Sequence, residues 1–198
     1  MFFVIDNVNE MDILELLTSQ LSQKGVVDTL SKSVNAKPDQ VKQLASLALP
    51  TLLQAMNKNA KTEQGASSLL KALDQHADDD VDDISGFLKK VDTQDGAKIL
   101  GHLLSNKSGA VESGLAKQTG LDISQVSGLL TMLAPLLLGQ LGKSKKQGGF
   151  DLSSLGSILG GATQGNDVLG MLGGLLDSDG DGDMMDDVGK LLGGFLKK

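Results

Sequence analysis

The sequence predicts an all-α fold. It reads as a duplicated multi-helix unit with Pro-kinked central helices, followed by a Gly/Leu-rich helical C-terminal segment that carries one EF-hand-like loop. Three observations predict this. Aliphatic residues recur at helical rather than alternating spacing through most of the 198 residues. The chain is 40% hydrophobic but only 3% aromatic, with no Trp and no Tyr, so its core must be aliphatic, which suits packed helices better than a β-sandwich. The pattern also repeats at an offset of 85 residues, and each copy places a proline inside its long apolar period, Pro50 and Pro135.

Residues 1–10 lack the basic start and long apolar stretch of a signal peptide and read as an N-terminal extension. The first helical repeat spans 11–92. Its opening helix, 11–24, places Ile13, Leu14, Leu16, Leu17 and Leu21 inward, and Gly25 breaks it. A short helix follows over 26–34. Pro38 then opens a helix of about 39–59, with Val41, Leu44, Leu47, Leu52, Leu53 and Met56 inward and Pro50 expected to kink or split it. Helices over 63–75, 84–91 and 93–105 come next, the first two separated by the acidic break His76-Ala77-Asp78-Asp79-Asp80-Val81-Asp82-Asp83.

The second helical repeat spans 93–145. Val26 matches Val111, Leu30 matches Leu115, Gln40-Val41 matches Gln125-Val126, Leu44 matches Leu129 and Leu52-Leu53 matches Leu137-Leu138. This copy predicts helices over 110–119 and 122–142. Residues 143–149, rich in Lys and Gly, read as a linker. The last segment, 146–198, takes in the end of that linker and reads as a Gly/Leu-rich helical tail, with its Leu/Gly-rich runs at 150–176 and 188–196. Glycines at Gly156/Gly160 and Gly189/Gly193 fall on one face, where two helices can approach closely, although each costs roughly 1 kcal/mol against Ala in an isolated helix.

Bulk properties exclude several function classes. A net charge of −7 argues against nucleic acid and anionic membrane surfaces as main partners, since both need a basic footprint. The absence of cysteine removes disulfides, thiolate metal sites and thiol catalysis. No apolar run reaches membrane-spanning length, so the expected compartment is the cytoplasm. A helix-turn-helix spacing around Gly120 and Val126 is read as structural, because Val126-Ser127-Gly128-Leu129-Leu130 offers a buried face rather than base-reading side chains. His102, alone on an apolar helix, reads as a core or boundary residue. No nucleophile, base and orienting group converge, so no enzyme is expected.

The chemistry-bearing stretch is Asp177-Ser178-Asp179-Gly180-Asp181-Gly182-Asp183-Met184-Met185-Asp186-Asp187-Val188. Six aspartates fall within eleven residues, a density that needs water or a cation between the carboxylates. In an EF-hand register Asp177, Asp179 and Asp181 take positions 1, 3 and 5, Gly182 the sharp turn at 6, and Asp183 offers a carbonyl at 7. Position 12 is Val188 instead of a bidentate Glu, so Asp186 or Asp187 must supply that carboxylate. The expected ligand is calcium, bound with a dissociation constant on the order of 10⁻⁴ M or weaker. A poorer acidic site comprises Asp74, His76, Asp78, Asp80, Asp82 and Asp83, without the position-6 glycine, and reads more readily as a solvated turn.

The segments Leu69-Leu70, Leu73-Asp74-Gln75-His76, Asp82-Asp83-Ile84, Ile99-Leu100-Gly101-His102-Leu103-Leu104 and Leu133-Ala134-Pro135 resemble the bacterial family catalogued as domain of unknown function 937, over about residues 11–145. The resemblance implies an all-helical fold and no established activity. The functional expectation is therefore a non-enzymatic, calcium-binding scaffold or protein-interaction module. The alternative is a protein that self-assembles, or meets a membrane surface, through its Gly/Leu-rich C-terminal helices.

Overall fold

A computed structural model describes residues 11–148 of the chain; the N-terminal extension 1–10 and most of the tail, with the calcium-type loop 177–188, lie outside the described residues. Among the described residues all regular structure is helical: α1 (Met11–Leu21), α2 (Lys24–Val34), α3 (Pro38–Ala60), α4 (Glu63–His76), α5 (Ile84–Lys90), α6 (Thr93–Leu104), α7 (Ser108–Thr119) and α8 (Ile123–Lys146), with a single 3₁₀ turn at Ser105–Lys107.

Local chemistry sets most of the boundaries. Pro38 sits in the first turn of α3, where its missing N–H costs nothing. Thr62, Asp83 and Asp92 cap α4, α5 and α6, their side chains accepting from the N–H groups of Gly65, Gly86, and Gln94 with Asp95. Asp122 and Gln125 form a capping box at the start of α8. α2 and α7 both end in a left-handed residue, Asn35 at φ 52° and Gly120 at φ 67°, the conformation that closes a helix C-terminus.

α8 is the axis of the body. It packs against α2, α3, α4, α5, α6 and α7. It is long and apolar enough to cross a membrane by length and composition, but 61% of that apolar window is buried within the protein. A helix surrounded by others has no polar face to keep, which accounts for its apolarity. Glycines let its neighbours close in: a Cβ at Gly96 of α6 would collide with the carbonyl of Thr131, and one at Gly142 with that of Leu73 on α4. α3 is the other long core helix, with Leu44, Leu52, Leu53 and Met56 fully buried.

Several sequence expectations change here. Of the two outcomes expected at Pro50, a kink or a split, the split does not occur; α3 runs through Pro50 as α8 runs through Pro135, both prolines buried in the core. The break after α1 falls at residues 22–23, and Gly25 lies inside the first turn of α2. Leu16 is 54% exposed rather than inward, because Leu17 and Leu21 already fill the face that α1 turns to the core. Residues 143–146 are not linker but the last turn of α8, where cationic side chains suit the negative end of the helix dipole.

Candidate functional site

The described polar chemistry concentrates on the acidic turn between α4 and α5. α4 ends at His76, and the chain turns with the Asp79 N–H on the His76 carbonyl (3.1 Å) and the Val81 N–H on the Asp79 carbonyl (2.9 Å). Val81 is fully buried against Gly139, and its carbonyl accepts from the Gln140 side chain at 2.8 Å. One apolar plug thus pins the turn to α8 and fans its carboxylates outward.

Each acid of this stretch that makes a contact meets a protein group. Asp74, Asp78 and Asp82, four residues apart, pair with Lys145 (2.6 Å), Lys146 (2.5 Å) and Lys143 (2.5 Å) on the last turn of α8. Asp83 caps α5. The His76 ring lies between two carboxylates, Nδ1 at 2.7 Å from Asp79 and Nε2 at 3.3 Å from Asp95 of α6. A neutral imidazole donates from one nitrogen only, so both contacts are donations only when the ring carries two protons. Beside it opens a cavity of about 320 Å³ lined by His76, Asp79, Asp83, Phe87, Lys90 and Asp95, among others.

This geometry bears on the second acidic site. Among the described residues no three His, Asp or Glu side chains converge to hold a metal ion. The physical reason is visible: Asp74, Asp78 and Asp82 face lysines, and His76 holds Asp79 and Asp95 on opposite edges of its ring. The stretch is a clasp between α4, α6 and α8. The EF-hand-type ligands Asp177, Asp179, Asp181, Asp183, Asp186 and Asp187 lie outside the described residues.

His102 is exposed in the last turn of α6, not in the core; the apolar residues around it, Ile99, Leu100 and Leu104, take the buried face. The turn at Gly120 leads into a buried helix: Val126, Leu129 and Leu130 are core residues, as the apolar sequence predicts.

A second polar arrangement was not anticipated. Gln40 of α3 donates its side-chain N–H₂ to the carbonyls of Thr119 (3.2 Å) and Gly120 (2.8 Å), at the end of α7. Gln125 of α8 donates to the carbonyls of Val34 (3.1 Å) and Asn35 (2.9 Å), at the end of α2. Each long helix satisfies the orphan carbonyls of the other's preceding helix. The matched Gln40-Val41 and Gln125-Val126 dipeptides are the only signal in the sequence that could have pointed to it.

No curated protein and no solved structure matches the chain. The family described as bacterial protein of unknown function (DUF937) matches residues 15–144, which span the helical body from α1 almost to the end of α8, and the chain belongs to that family.

Proposed function

We propose that this protein is a non-enzymatic helical scaffold whose ligand is calcium, bound by Asp177, Asp179, Asp181 and Asp183 with Asp186 or Asp187 completing the set. One observation carries the reading: in the acidic turn after α4, Asp74, Asp78 and Asp82 are engaged by lysines, Asp79 by His76 and Asp83 by the N-terminus of α5, and the acid-rich stretch left with the residue pattern of a cation site is 177–188. The body would serve as the rigid mount, and the tail as the part that responds.

The body itself is best read as an internal repeat. The offset of 85 carries α2 and the start of α3 onto α7 and the start of α8, Asn35 onto Gly120, and the Gln40 donations onto those of Gln125. It also carries α1 onto α6, which makes α4 and α5 an insert between two three-helix units.

Isothermal titration of the full chain with calcium tests the functional reading. Heat of binding is expected for the wild type and not for the Asp177→Ala/Asp181→Ala chain. Equal heats from both, or none from either, remove it.

A further inference from the structure

We infer that Asp74, Asp78 and Asp82 form an ionic latch on Lys145, Lys146 and Lys143 that sets how often the last turn of α8 opens. The inference is independent of calcium binding.

Apolar grip on α8 ends abruptly. Leu141 is fully buried and Gly142 lies against the Leu73 carbonyl and Ala77, but residues 143–148 read Lys-Ser-Lys-Lys-Gln-Gly and hold no apolar side chain. Two forces remain to keep that turn helical. One is the helix dipole acting on its cations, and the other is the three ion pairs. The Gln147 N–H on the Lys143 carbonyl (3.1 Å) and the Gly148 N–H on the Lys145 carbonyl (3.0 Å) close the turn and exist only while it is formed.

The partners are built for reversible holding. The lysine side chains at 143 and 145 are 33% and 28% exposed, their stems lying along the protein, while the carboxylates of Asp82, Asp74 and Asp78 are 75%, 64% and 82% exposed. Pairs of this kind are individually weak and strongly screened by salt. Three of them on one turn act together, and the acids come from α4 and its following turn, so one rigid element grips another. The turn that opens is the one from which residues 149–198 continue.

Hydrogen exchange in the full chain tests this. Between about 0.02 M and about 1 M sodium chloride, amides of residues 143–148 in the wild type should lose protection about tenfold, the combined weight of three exposed pairs. In the Asp74→Asn/Asp78→Asn/Asp82→Asn chain they should exchange at the fast rate at both salts, with the amides of α3 unchanged. The Lys143→Gln/Lys145→Gln/Lys146→Gln chain should behave alike. If a triple variant also loses protection in α3, the single Asp78→Asn chain takes its place, with a proportionally smaller loss expected. Salt-independent protection in the wild type, or a neutralised chain as protected as the wild type, overturns the latch.

Discussion

The helix pairs α2/α3 and α7/α8 invite comparison, because they are alike where they meet and differ where their neighbours meet them. Each pair closes its first helix with a left-handed residue, sends a glutamine at the same register to the other pair's carbonyls, and buries a proline and a Leu-Leu step at matched positions in the core. At the same offset, however, α8 carries Gly128, Gly139 and Gly142 where α3 carries Gln43, Gln54 and Asn57. Gly139 and Gly142 are the points at which α4 and its acidic turn reach the α8 backbone. The difference teaches that α8 is shaped to accept an additional layer, and that the layer it accepts is the one bearing the acids.

The largest effects should fall where the pairs are alike. Leu52→Ala and Leu137→Ala each remove a fully buried side chain and should cost about 3 kcal/mol in urea unfolding, the two values agreeing within about 1 kcal/mol. A large inequality would break the likeness of the pairs.

Next comes the place where they differ. Gly142→Ala drives a methyl into the Leu73 carbonyl and should lower stability by about 2 kcal/mol, while Asn57→Ala, at the same register of α3, should stay within about 0.5 kcal/mol of wild type. Thermal melts of the two variants side by side sharpen the contrast; equal losses would dissolve it.

Smaller again are the reciprocal caps. Gln40→Ala and Gln125→Ala each strip donors from two helix-end carbonyls and should cost about 1 kcal/mol apiece. Gln125 also closes the capping box of α8, so its loss should be the greater by a few tenths of a kcal/mol. Chemical denaturation midpoints resolve both.

Much of this was legible before the fold. Helical spacing located the helices and nearly all of the core, since a single period specifies both. Pro38 and Gly120 mark helix ends through local chemistry that needs no partner. What escaped depends on groups distant in sequence. Residues 143–146 look like a linker until acids 61 to 71 positions away hold them. Leu16 is apolar on a helix with a sufficient apolar face without it, so its spacing alone could not reveal its exposure. His102 sits in an apolar segment, yet the helix turns it outward. In the acidic break, the missing glycine favours a solvated turn over a cation site but does not reveal the lysines that the turn meets; the spacing of Asp74, Asp78 and Asp82 is the readable hint that one side faces a common partner.

The central proposal is that the acids around the α4–α5 turn serve the fold while those of 177–188 serve the ligand. The most direct measurement is the melting temperature of three full-length chains with calcium and with chelator: wild type, Asp177→Ala/Asp181→Ala, and Asp74→Asn/Asp78→Asn/Asp82→Asn. The account predicts that calcium raises the melting temperature of the first and third and leaves the second unmoved. Calcium stabilisation that survives in the second chain, or disappears in the third, would contradict it.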